Sequence, residues 1–144
     1  MLSALVGADA EVLVVGAHAL ALHGRPRATG ALDIWVRSTR ANAERVWEAL
    51  LRFGAPLQDL TCEDLTGPGL VYQIGLPPRR IDLLTSITGV TWPDAWSDRV
   101  HVDVQGINVP ILGKSTLIAN KRATGRAQDL VDVAALEADP ESGS

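Results

Sequence analysis

The chain of 144 residues contains a single cysteine, Cys62. One thiol permits neither an internal disulfide nor a cysteine-based zinc site, which fits a reducing, cytoplasmic setting. Cys62 itself reads as a packing residue. Long apolar runs are also missing. The longest nearly uncharged stretch, residues 12–22, is about half the length of a membrane span, and Asp9 and Glu11 stand before it where a signal peptide would carry positive charge. The chain is therefore expected to be soluble, with no membrane partner. Positive charge is not in excess either: 13 Lys and Arg against 17 Asp and Glu leave a formal net charge of -4. That balance argues against coating nucleic acid through a general positive field. The local clusters that remain, Arg25 with Arg27, Arg79 with Arg80, and Lys121 with Arg122 and Arg126, read first as solvated surface. Internal repeats and low-complexity segments are absent, and the length leaves no room for a second domain.

What is present is a core-forming chain, 47% hydrophobic. Glu11 to Val15 is a short β-branched run that stops at Gly16 and reads as a buried strand. Ala17 to Leu22 reads as a short helix ended by Gly24 and Pro26. Leu32 to Val36 is a second strand. Ser38 or Thr39 can cap the next helix, where Ala43, Val46, Trp47, Leu50 and Leu51 recur at helical spacing before Gly54. Residues 55–68 are turn-rich, with room for one helical turn. Leu70 to Ile74 and Arg80 to Leu84 read as strands joined through Gly75 to Arg79. Thr91 to Ser97 can form a short helix with Pro93 in its first turn. Val100 to Val104 and Ile107 to Ile111 form a hairpin about Gln105 and Gly106. Lys114 to Arg122 and Ala127 to Glu137 are helical, broken at Gly125. The alternation predicts an α+β domain over residues 1–138, a mixed β-sheet flanked by helices on at least one face and closed by a C-terminal helical segment. Residues 139–144 read as a disordered tail.

Two strands each carry one acid. Period two places positions 31, 33 and 35 on one face and Leu32, Ile34 and Val36 on the core face, so Asp33 looks away from the core. The same alternation turns Asp82 away from Ile81 and Leu83. Aspartate is depleted in strands, and a buried charge is costly unless it is paired or bound to metal. Each acid could simply face water or pair with a neighbour such as Arg37 or Arg80. Two of them on separate strands, after a glycine turn between strand and helix, favour a divalent-cation site, because Mg²⁺ is commonly held by one or two carboxylates plus substrate phosphates. His18 and His23 are five residues apart and share no helical face; they and His101 read as structural or surface residues. The four tryptophans, at 35, 47, 92 and 96, read as packing, with Trp35 on the strand face of Asp33.

The stretches VLVVGAHALALHGRPRATGALDIWV, VYQIGLPPRRIDLLTSITGV and LIANKRATGRAQDLVDVAALE, in this order, resemble small bacterial nucleotidyltransferases with the polymerase-beta-like fold, a group that includes minimal enzymes and the toxins of some toxin-antitoxin pairs. The resemblance covers residues 10–137. It implies that Gly16 and Ala17 form the turn that holds nucleotide phosphates. Asp33 matches the second acid of an Asp-x-Asp metal-binding pair, and Asp82 matches a third acid on a later strand. Lys121 and Arg126 match helix residues that reach the triphosphate, while Arg27 and Thr29 lie in the loop before the acid strand, where phosphate contact is implied.

Two positions depart from that pattern. Ala17 replaces a second Gly or Ser, and Ala31 stands where the first acid of the pair belongs. In two-metal phosphoryl transfer the paired acids share both ions, so a methyl group at 31 weakens metal binding and slows transfer without unfolding the chain. Either a natural relaxation of catalysis or a deliberate Asp-to-Ala replacement fits. The resemblance implies a metal-dependent transfer of NMP from an NTP, with Mg²⁺ or Mn²⁺, to a hydroxyl of RNA, protein or a small molecule, and an antitoxin partner if the chain is a toxin. The rival expectation is an inactive nucleotidyltransferase fold that binds nucleotide or another protein. A third is a partner-binding protein with no nucleotide site, expected if Asp33 and Asp82 prove distant or salt-bridged.

Overall fold

The computed structural model describes residues 1–24 and 30–138. The loop positions Arg27 and Thr29 and the tail 139–144 lie outside the described residues. In chain order the elements are α1 (Leu2–Gly7), β1 (Val12–Val15), α2 (Gly16–Leu22), β2 (Ala31–Val36), α3 (Arg40–Phe53), a 3₁₀ turn (Glu63–Thr66), β3 (Val71–Ile74), β4 (Arg80–Leu84), α4 (Trp92–Asp98), β5 (Val100–Val104), β6 (Ile107–Ile111), α5 (Lys114–Thr124) and α6 (Ala127–Ala138). This is an α+β fold.

The six strands form one mixed sheet in the order β3-β4-β2-β1-β6-β5. β1 runs antiparallel to β2 and parallel to β6, and β2 runs parallel to β4. The chain alternation fits this layout: hairpins join β3 to β4 and β5 to β6, while the parallel neighbours are connected through helices. All four residues of β1 are buried, as an uninterrupted VLVV run in mid-sheet requires.

Helices cover both faces. Leu5 of α1 and Ala43, Val46, Ala49 and Leu50 of α3 pack on Ile34, Val36 and Leu83. On the other side Ala19 and Leu20 of α2, Ala95 of α4, Leu117 of α5 and Leu136 of α6 join Leu13, Val15, Trp35 and Ile111. Burying each such Leu or Ile contributes about 1.5–3 kcal/mol. The expectation that the face of Asp33 lies away from the core is thereby corrected. Trp35, on that same face, is only 3% exposed, because α4 covers it. Asp33 occupies the rim of a second core, not an open surface.

The helix α3 forms where its spacing predicts. Thr39 caps it through a bond from the Asn42 amide to Thr39 Oγ1 (3.3 Å), and Gly54 ends it in the left-handed region at φ 79°. Leu51 departs from the predicted stripe and is 58% exposed. Buried Asn42 ties this helix to the sheet, accepting from the Glu11 amide at 2.6 Å and donating to the Glu11 and Arg37 carbonyls, each at 2.9 Å. The first helix, α1, is a six-residue element absent from the sequence reading. It is too short to announce itself by periodicity and is held by the burial of Leu5.

Candidate functional site

The site begins with a register. Parallel pairing sets Ala31 beside Arg80 and Asp33 beside Asp82, so these four side chains form a block on one face of the sheet. Asp33 is pushed up to about 6, first by burial, then by the charge of the adjacent Asp82 and hydrogen bonding with it, with Arg80 opposing. Asp82 is 8% exposed and is gripped by Arg80, with Nε to Oδ1 at 3.0 Å and Nη2 to Oδ2 at 3.3 Å. The salt-bridged alternative foreseen for Asp82 is therefore realised, while Asp33 is not in an ion pair with Arg37, which turns to Glu11 at 2.8 Å.

Beside Asp33 the chain leaves β1. Val15 lies opposite Asp33 in the antiparallel register, and Gly16 then turns at φ +68°, where any Cβ would strike the Asp33 carboxylate. Backbone conformation and the neighbouring side chain both demand glycine. This turn brings backbone, not side chain, against the acid. The following Ala17 lines the same cleft.

The opposite wall comes from α5 and α6. Gly125 breaks the helices in the left-handed region at φ 65°, letting α6 fold back so that its acids meet Lys121. Lys121, 7% exposed, points its ammonium at Asp132 (3.0 Å) and Asp129 (3.4 Å). Asp129 also accepts from Arg126 Nε (2.7 Å), the Arg126 amide (3.2 Å) and Thr124 Oγ1 (2.7 Å). These donors, Arg126 foremost, hold its carboxyl well below the usual carboxylate range despite burial.

Between the walls lies a cavity of about 320 Å³ lined by Gly16, Ala17, Asp33, Lys121, Arg126, Gln128 and Asp129. Five positions chosen from sequence thus meet in one cleft, although they come from residues more than a hundred apart. Asp82, lateral partner of Asp33 in the register, does not line it. Ala31 is 7% exposed and does not line it. Asp129, Asp132 and Gln128 were not singled out as site residues. The available signal was two acids three residues apart in the first two turns of α6, following a lysine-bearing helix.

The remaining polar and aromatic residues lie elsewhere. His23 donates from Nε2 to the Leu112 carbonyl at 2.9 Å, a structural role. His18 lines a separate apolar cavity beside α2. Trp35 meets Trp92 edge-on at 4.9 Å, Trp92 stacks on Trp96 at 5.4 Å, and the Arg99 guanidinium lies 3.9 Å above Trp96. This is a packed aromatic column, and Trp35 does not reach the cleft.

No family model matches the chain, and no curated protein matches it. The chemistry must be read from the residues. Asp33 and Asp82 are adjacent carboxyls that can grip one divalent ion together with substrate oxygens. They fit a pair of ions less well: residue 31 contributes a methyl group, and both oxygens of Asp82 already receive Arg80. Among the described residues no cluster of three or more His, Cys, Asp or Glu is placed to hold a metal.

Proposed function

We propose that the chain is a nucleotidyltransferase-like protein that takes an NTP and Mg²⁺ or Mn²⁺ into the cleft between the sheet and the closing helices. The observation that carries the reading is Asp33, in register with Asp82, lining one cavity together with the basic residues Lys121 and Arg126. A carboxyl on the sheet side and two basic side chains, paired with Asp129 and Asp132 on the helical side, suit a metal-bound triphosphate once the phosphates compete for the basic groups. When bound, the divalent ion would supply Lewis acidity at phosphate oxygen. Asp33 and Asp82 would hold it. In the transfer, an acceptor hydroxyl forms a bond to the α-phosphorus, the bond to pyrophosphate breaks, and the hydroxyl proton passes to the carboxyl pair. Without metal the Asp33 carboxyl is pushed up to about 6, first by burial and then by Asp82, so an ion bound there would displace its proton. Lys121 and Arg126 offset the charge that develops on pyrophosphate.

A second reading has its own observation. Ala31, beside Arg80 in the register, favours a protein that binds nucleotide without transferring it, while the grip of Arg80 on Asp82 favours a partner-binding protein with no nucleotide site. Calorimetric titration with each NTP, with and without Mg²⁺, combined with labelled-NTP transfer to RNA and to protein, tests both. Metal-dependent binding with incorporation supports the enzyme, and binding with none supports the binding module. Failure of every NTP to bind removes both readings.

A further inference from the structure

The sheet ends at β5, which pairs with β6 on one side. Among the described residues no strand covers its other edge. The sequence Val100-His101-Val102-Asp103-Val104 alternates, and its register with β6 is unbroken over all five residues. The valines therefore share one face of the sheet, and His101 and Asp103 share the other. Both polar residues are exposed, and Val100 on the apolar face is 40% exposed. The edge lacks the lysine, proline or bulge that commonly keeps such strands apart. The hairpin decides which backbone groups it offers. Gln105 and Gly106 turn at φ 52° and 83°, both positive, as a two-residue hairpin turn of the primed type requires. In such a turn the closing pair, Val104 with Ile107, exchanges backbone hydrogen bonds, and every second pair after it does the same. Val100 and Val102 thus bond to β6, whereas His101 and Asp103 aim their N–H and C=O outward. Pro110 agrees with this phase, since it stands opposite His101, where β5 asks no N–H of it.

We infer that β5 is a self-pairing edge: a second copy of the chain adds antiparallel to it across a two-fold axis at Val102, so that one sheet continues through both copies. In this register His101 of each copy lies opposite Asp103 of the other, and both pairs exchange hydrogen bonds through the backbone groups already aimed outward. An isologous contact of this kind closes at two copies. On the polar face each imidazole meets a carboxylate. The Asp103 carboxylate is fixed beside the hairpin turn, where its Oδ1 accepts from the Gly106 amide at 2.8 Å, and it offers Oδ2 to the ring. On the apolar face Val102 meets its own copy and Val100 meets Val104, which covers the exposed methyl groups of Val100. Sliding the second copy by two residues sets acid against acid or imidazole against imidazole, so the polar pairs fix the register. The other sheet edge, β3, reads VYQI and has no such complementary pair.

The contact is small, so the expected dimer is weak, with a Kd of about 10 μM to 1 mM. Sedimentation of the full chain across that range should show one chain converting to two, with nothing larger. At a concentration that pairs most of the chain, the amides of His101 and Asp103 should exchange hydrogen about tenfold more slowly than in dilute solution, whereas those of Val100, Val102 and Val104, already bonded to β6, should not change. His101→Glu sets two acids together at both pairs, and Asp103→Lys sets two bases together. Each should weaken self-association about tenfold or more. An equal mixture of the two variants should pair again, because the mixed dimer restores an acid opposite a base at both positions. Re-pairing also shows that neither variant lost association through misfolding. A wild type that stays a single chain up to about 1 mM, unchanged exchange at His101 and Asp103, or single variants that associate as well as the wild type would each overturn the inference. So would a mixture that fails to pair, or species that grow beyond two, since β5 pairing with β3 makes an open-ended array.

Discussion

The two walls of the cleft hold the same residue type in opposite electrostatic states. On the helical wall Asp129 is 1% exposed, yet Arg126, Thr124 and Lys121 supply enough donors to keep it ionised far below its ordinary range. On the sheet wall Asp33 is half-buried with another acid beside it, and burial first, then Asp82, push it up to about 6. Burial alone does not decide the sign; the donors around the carboxylate do. The helical wall is a completed network that fixes the position of Lys121. On the sheet wall, among the described residues, Asp33 is set against Asp82 with Arg80 as the opposing charge.

The most severe way to break this contrast is to take the hub from the completed wall. Asp129→Ala leaves Lys121, 7% exposed, with Asp132 alone and strips Arg126 and Thr124 of their shared acceptor. Removing one member of a buried ionic cluster costs about 3–5 kcal/mol, and the residual Asp132 contact places this variant near about 3 kcal/mol. Urea unfolding at neutral pH measures it. A cost under about 1 kcal/mol would mean that the network is held mainly by packing rather than charge.

The contrast also governs what could be read in advance. The β1–β2 core, α3 with its Thr39 cap and Gly54 stop, and both hairpins were legible, because burial periodicity and turn chemistry act locally. Part of the candidate cleft was legible for the same reason: Asp33 interrupts an apolar strand, and Gly16 ends one. The second core over Trp35 was not, because whether a helix covers a sheet face depends on α4, more than fifty residues later. Nor was the pairing of Lys121 with Asp132 (3.0 Å), which needs the fold-back at Gly125. Arg80 was legible as a salt-bridge candidate, but its position beside Ala31 depends on the parallel register of β2 and β4.

A smaller change sharpens the sheet wall. Ala31→Asp adds a carboxylate on the face that already carries Asp33 and Asp82, with Arg80 as lateral neighbour. Without metal the added repulsion, partly offset by Arg80, should lower stability by about 1–2 kcal/mol. Mg²⁺ or Mn²⁺ together with NTP should recover it, since binding to the folded state alone stabilises that state. Thermal unfolding in chelator against unfolding with metal and NTP reads the difference. Asp82→Ala, which removes a carboxylate the ion requires, is the control. Equal melting temperatures for Ala31→Asp in the two conditions would show that the block does not bind a cation.

The gentlest test exploits the opposite pH signatures of the walls. A carboxyl raised from 3.8 to about 6 on folding binds more protons folded than unfolded between those values, so its contribution to stability falls as pH rises through that window and stays low above it. A carboxyl depressed on folding, as Asp129 is, behaves the other way: its contribution is present above the unfolded value and is lost as pH drops below it. The full shift of Asp33 corresponds to about 3 kcal/mol, but its partial exposure reduces this to about 1 kcal/mol. Asp33→Asn cannot ionise and still offers a hydrogen bond to Asp82. It should therefore be more stable than the wild type by about 1 kcal/mol at pH 7.5 and indistinguishable from it at pH 3.5, where both chains carry a neutral group at this position. Urea unfolding across pH 3.5–8 in chelator gives the profile. A stability gain that is the same at every pH would locate the strain of Asp33 in packing rather than in its charge, and the electrostatic distinction between the two walls would fail.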